Sequence, residues 1–372
     1  LKALAPLLLA AASPAWAASA VVAPYGVTRT GERVDQVTLV NDRGMRVRII
    51  GYGATVTEIV VPDAVGKPAN VALGFGSLAD YEARNGDYAF GATVGRYAGR
   101  IAGARFRLGG REVRLVANDG PNALHGGPGA LFTRVWSVAA FRRGGRVGAV
   151  LRYTSPEGEQ GFPGRIDLQV TYTLGSDDAL RIDYAARSDR RTVLNLTNHS
   201  YFNLAGAGSG TVKDHRLQLL SDRLVETDRG GIPTGRFLAV AGTPFDLRAP
   251  RRIGDMMALP HPQMTGRRGF NHSWVLPFDR RLRRAARLSD PASGRAMEVL
   301  TTEPSLVVYT GNWFSGRDRG AQGTYYRQHD GVALEAQHLP DSPNRPAFPS
   351  TLLTPGHRWR STTIYRFSAG RH

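Results

Sequence analysis

The chain has 372 residues, 42% hydrophobic and 21% charged, which is the make-up of a globular protein. It contains no cysteine, so thiol catalysis and thiolate metal sites are excluded. The net charge of +17 is almost entirely arginine, since lysine occurs only at 2, 67 and 213. Those arginines are spread along the chain without a helix-turn-helix, zinc finger or aromatic-plus-basic platform, and nucleic acid is therefore not the expected partner.

The first twenty residues, "LKALAPLLLAAASPAWAASA", place Lys2 before a short apolar run, a break at Pro14 and the small-x-small pattern Ala15-Trp16-Ala17. That is the layout of a secretory signal peptide, too short to span a membrane, and it predicts a periplasmic or secreted protein. No later stretch is long and apolar enough for a span. Residues 21–372 carry no linker, repeat or shift in composition, which predicts one large domain.

Strand-like runs then follow one another: 47–61, 104–116, 148–155, 165–174, 179–187, 305–314, 332–338 and 361–369. They alternate, or are rich in β-branched and aromatic residues, and they end in turn formers. Helical stretches are nearly absent, with short candidates near Leu78–Ala83 and Arg251–Met257. The dense basic run "RRLRRAARL", 280–288, reads as a solvated turn between strands. An all-β sandwich or barrel is the predicted class.

The segment "NLTNHSYFNLAG", 195–206, is unusual for its polarity. If extended, it puts Asn195, Thr197, His199, Tyr201 and Asn203 on one face, and Leu196, Phe202 and Leu204 on the other. That polar face lies against solvent or lines a groove. His125 precedes two glycines in "NALHGG", which permit a close backbone approach. His272 and His338 read as structural histidines. No HExxH or His-x-His spacing suggests a metal site, and no GxSxG elbow, Walker loop or dinucleotide fingerprint is present.

Among the carboxylates, Glu335 stands apart because it sits between Val332, Ala333, Leu334 and Ala336. A carboxylate in an apolar strand is desolvated, so it is either paired or used, and its pKa is expected to rise. Asp246, in "TPFDLR", also has apolar neighbours, although Asp beside Pro and Phe is commonly a turn former.

Together, "GRYAGRIAGARF" (95–106), "NALHGG" (122–127), "GFPGRIDLQVTYTL" (161–174), "NLTNHSYFNLAG" (195–206), "TPFDLR" (243–248), "GFNHSWVL" (269–276), "YTGNW" (309–313) and "LEAQHLPDSPNRPAFPSTLLTPG" (334–356) resemble the aldose 1-epimerase, or galactose mutarotase, family. The resemblance runs through nearly all of the mature chain. It implies a single large β-sandwich of the galactose-mutarotase type; a monomer or dimer is the expected state. It also implies interconversion of the α and β anomers of a free aldohexose without cofactor or metal. Carried onto this chain, Glu335 matches the family's general base and His199 its general acid. Arg100, His125, Asp246, Ser200 and Tyr201 match sugar-holding positions. Two departures accompany the match. Gly99 stands where many relatives have asparagine before the arginine, and Val307 where several have glutamine, which implies an altered choice among hexoses. The rival readings are a hexose-6-phosphate 1-epimerase and a non-catalytic sugar-binding protein of the same fold.

Overall fold

The structure, a computed structural model, describes residues 17–370. Alternating apolar residues and frequent turns drive nearly every segment into antiparallel pairing, and three sheets dominate. A nine-stranded sheet runs in the spatial order 137–143, 146–155, 166–174, 179–188, 359–369, 295–301, 283–289, 216–219 and 251–252. A six-stranded sheet runs 201–202, 332–337, 305–309, 271–275, 223–227 and 233–239. A five-stranded meander takes up Ser19–Val27 to Pro68–Asn70 in chain order.

One apolar core joins all three sheets, with Val170, Ile182 and Val299 from the first, Trp274, Leu306 and Leu334 from the second, and Val37, Val47 and Ile59 from the third. Edge-to-face packing of Phe202 on Tyr365, 4.9 Å between ring centres, ties the six-stranded sheet to the nine-stranded one. Tyr172 donates its hydroxyl to the Ala54 carbonyl at 2.7 Å and ties in the meander. This is the predicted all-β single domain.

Of the twenty residues read as a leader, 1–16 lie outside the described residues, and Ser19 and Ala20 already pair with Val40 and Leu39 in the first strand. The 47–61 run is a hairpin of two strands, 46–50 and 55–62. The two helical candidates form helices at Leu78–Tyr88 and Ile253–Ala258, the first capped by Ser77, whose hydroxyl accepts from Asp80 N–H. Among the described residues no helix is long and apolar enough to cross a membrane.

The basic run departs from its reading. Arg283–Ser289 is a strand inside the nine-stranded sheet, because Ala285, Ala286 and Leu288 are buried while Arg284 is exposed and Arg287 partly so. Only 280–282 lies outside the strand.

The polar segment also differs from the simple alternating strand. Residues 195–204 are all buried, and only Thr197–Asn198 and Tyr201–Phe202 pair as short strands. Its asparagines bond to other loops. Asn195 donates to the carbonyls of Ala98 (2.9 Å) and His338 (3.3 Å) and accepts from His338 N–H. Asn198 donates to the Gly91 carbonyl, and Asn203 to those of Gly210 and Asp330. Asn195 thereby clamps the segments carrying Arg100, His199 and Glu335 against one another.

Candidate active site

The floor of the main pocket is one face of three adjacent strands. Residues two apart on a strand share a face, and the lining residues come in such pairs: Asn271 and Ser273, Val307 and Tyr309, Glu335 and Gln337. Register sets them side by side, with Asn271 opposite Tyr309, Ser273 opposite Val307, and Val307 opposite Glu335. Trp274, Leu306, Val308, Leu334 and Ala336, at the alternate positions, join the core, while His272 borders the pocket between Asn271 and Ser273. Loops and short strands supply the walls, among them His125 and His199 from loops and Arg100 and Tyr201 from two-residue strands.

His199 Nε2 lies 3.5 Å from Glu335 Oε1, and both side chains are about 95% buried (5% and 4% exposed). Burial raises the Glu335 carboxyl to about 8, against a smaller lowering by the Arg100 charge. Burial likewise holds the His199 imidazole down at about 4. Its Nδ1 is buried with no partner among the described residues, and its ring packs 4.9 Å from Tyr201 and edge-on to His125 at 5.3 Å.

His125 is held by a two-way clasp to Gly99. Its N–H donates to the Gly99 carbonyl, and its Nδ1 accepts from Gly99 N–H at 3.3 Å. A neutral ring that accepts on Nδ1 carries its proton on Nε2. Burial, followed by the charges of His199 and Arg100, pushes its pKa well below the usual histidine value. The glycine after it is required: Gly126 has φ +89°, and a Cβ there would meet the Gly95 carbonyl oxygen at 2.2 Å. Arg100 is half-buried, donates to Asp119 Oδ2 at 2.7 Å, and has its backbone carbonyl bonded by Asp341 N–H. The other arginine of that motif, Arg96, is structural, since its guanidinium is buried against the carbonyls of Ser155, Pro156, Phe162, Pro163 and Gly164.

Five of the seven residues expected at the site thus line one pocket: Arg100, His125, His199, Tyr201 and Glu335. Two do not. Asp246 lies outside the lining, its carboxylate gripped by both arms of Arg248 at 2.8 and 2.7 Å, which lowers its pKa to about 2. Ser200 is not part of the lining, and its hydroxyl is buried without a partner among the described residues. His338 lies outside the lining, whereas His272, read as structural, also borders the pocket, although its ring is held by structural hydrogen bonds. His272 is bonded through both ring nitrogens, to Gln263 O and Asn271 N–H, and His338 pairs with buried Glu303 at 2.7 Å.

Asn271, Tyr309 and Gln337 were not singled out by sequence. Period-two alternation from Glu335, and through the "GFNHSW" and "YTGNW" strands, is the signal that carries them.

Nitrogen and carboxylate atoms of His125, His199 and Glu335 lie within 4.8 Å of one another, a donor set that no local spacing had suggested. To ligate an ion through both the Glu335 carboxyl and His125 Nε2, it would have to ionise the first and strip the second of its proton. The raised Glu335 pKa and the Gly99 clasp both oppose this.

The aldose 1-epimerase family model matches residues 35–366. The chain belongs to the aldose 1-epimerase family. Galactose mutarotase of Mus musculus is 41% identical over 338 residues, 91% of this chain and 95% of its own length. Aldose 1-epimerase of Escherichia coli K12 is 36% identical over 345 residues, covering 91% and 96%. The crystal structure of galactose 1-epimerase from Lactobacillus acidophilus superposes with a TM-score of 0.84 at 30% identity, covering 95% of this chain and all of that one. As a member of the aldose 1-epimerase family, the protein is an epimerase acting on carbohydrates.

Proposed function

We propose that this protein is a mutarotase that interconverts the α and β anomers of a free aldohexose, with Glu335 and His199 moving the protons. The observation that carries this reading is a carboxyl and an imidazole, buried and 3.5 Å apart, on the floor and wall of a pocket that is also lined by polar side chains and by Arg100.

Between about 4 and about 8 on the pH scale the pair holds one proton. As carboxylate and imidazolium, Glu335 takes the proton from the O1 hydroxyl while His199 delivers one to the ring O5. The C1–O5 bond breaks to give the aldehyde and leaves both side chains neutral. Rotation about C1–C2 presents the other carbonyl face, and reversed transfers close the ring as the second anomer. The neutral arrangement that burial favours is thus the one required at the open-chain stage. The Arg100 charge, which lowers the Glu335 pKa, favours the ionised form that begins the cycle. His125 offers its Nε2–H to a sugar oxygen. Each proton-transfer group is worth on the order of 10²–10⁴ in rate.

Polarimetry on freshly dissolved α-D-glucose and α-D-galactose tests the reading. Acceleration at catalytic protein concentration supports it, and rotation relaxing at the buffer rate overturns it.

One observation favours the phosphorylated-sugar alternative. Arg267 lines the pocket, has no carboxylate within 4.0 Å among the described residues, and donates only to Thr227 Oγ1 and the Asp228 carbonyl. Glucose 6-phosphate in the same assay separates the two readings by which substrate has the higher kcat/KM.

Export belongs to the same proposal, supported by the order of charge, apolar run and small residues in 1–17. A mass spectrum of the exported protein is expected to begin at or shortly after Ala18, and an uncleaved cytoplasmic chain contradicts it.

A further inference from the structure

We propose that Gln337 is a specificity-determining residue of the sugar site, binding a hydroxyl remote from the anomeric carbon. The inference rests on the sugar-epimerase reading and deepens it. Gln337 follows Glu335 by two residues on one strand, so both side chains leave the same face, and both line the pocket. The step between them is roughly 6.7 Å at the usual strand rise. An amide so placed reaches the far side of a ring whose O1 meets Glu335, which fits it for holding substrate and not for moving the anomeric proton.

Its polarity is otherwise unused. Gln337 is 1% exposed, and its Oε1 is buried with no hydrogen-bond partner among the described residues. The neighbours that could have satisfied it are committed elsewhere or apolar. Ser305, directly opposite in register, donates its hydroxyl to the Gln337 backbone carbonyl at 2.8 Å. His338, next in sequence, pairs with Glu303. Val307, opposite Glu335, has nothing to offer. A buried amide left unpaired is costly, and the groups that relieve it come from whatever fills the pocket.

The space for this amide is made by Gly99. There φ is +81°, and a Cβ would stand 3.1 Å from Gln337 Nε2. A side chain at 99 would be strained and would push the amide aside. Glycine at 99 and valine at 307 thus leave Gln337 as the amide of this part of the floor. A carboxamide presents a donor and an acceptor together, which matches a hydroxyl, or two adjacent hydroxyls, of an aldose.

The test compares wild type with Gln337→Met, which keeps length and removes both hydrogen-bonding ends, and with Gln337→Asn, which shortens the reach. Anomer exchange is followed for glucose, galactose and the monodeoxy glucoses lacking the 2-, 3-, 4- or 6-hydroxyl. For the parent hexoses both variants are expected to raise KM about tenfold with kcat within about threefold. One of the 3-, 4- or 6-deoxy sugars is expected to have the same KM in wild type and variant, because it lacks the hydroxyl the amide holds, and that result with the 2-deoxy sugar instead overturns the proposal. A fall in kcat at unchanged KM, or an equal penalty for every deoxy sugar, overturns the proposal. Binding of 1,5-anhydroglucitol, which has no O1 and cannot react, gives a direct affinity for each variant, with the same tenfold loss expected. If wild type fails to accelerate anomer exchange, the epimerase reading falls. If it accelerates exchange and the Gln337 variants match it throughout, only the inference about Gln337 falls.

Discussion

At Glu335 and His199 burial works on two groups of opposite charge type and pushes both toward neutrality, so the useful quantity is their shared proton. Below about 4 the imidazole gains a second proton for the pair and no base remains; above about 8 the carboxyl ionises and no proton remains to donate. The kcat/KM profile is therefore expected to be a bell whose limbs bend near those values; a profile flat from pH 3 to 10 contradicts it. Glu335 was legible in sequence because an isolated carboxylate among four apolar residues has few structural uses. Asp246 showed the same local signal, yet Arg248, two residues on, satisfies it completely. The side-chain amide of Asn271 faces the pocket with no hydrogen bond to the described residues. Asp246→Asn is accordingly expected to leave the hexose KM within about twofold, and Asn271→Ala to raise it severalfold. Steady-state kinetics on galactose checks both, and the reverse ranking contradicts the placement.

Among the elements, strands were read well where burial is one-sided. The runs 166–174 and 179–188 alternate buried and partly exposed residues, so period two is visible in the sequence. The segment 195–206 alternates in sequence too, but its polar residues meet neighbouring backbone instead of water, a fact set by loops more than a hundred residues away. The "RRLRRAARL" run looked like a turn because arginine dominates it, whereas two alanines and a leucine are enough to seat a strand on the core. The loop carrying His125 is held by backbone proximity at Gly126. Gly126→Ala is expected to cost on the order of 2–4 kcal/mol, read from chemical denaturation, and to raise KM by displacing the imidazole. A variant as stable as wild type contradicts the close approach at Gly95.

Across the whole molecule, the sandwich works as a platform that aims one face of three strands at a space enclosed by the surrounding loops and short strands. The class of fold was visible from strand-like runs and scarce helices. The order of strands was not, because pairing partners such as 179–188 and 359–369 are set by shape complementarity across the chain and leave no local mark. Likewise, single histidines and one glutamate were nominated in sequence, while the 3.5 Å approach of His199 to Glu335 is a product of the assembled fold. Everything functional rests on that approach. The direct test is anomer exchange measured by saturation-transfer NMR on equilibrated glucose at neutral pH, for wild type, Glu335→Gln and His199→Asn, with circular dichroism to confirm folding. Both folded variants are expected to lose about 10²–10⁴ of the exchange rate. A Glu335→Gln protein that exchanges anomers as fast as wild type contradicts the account.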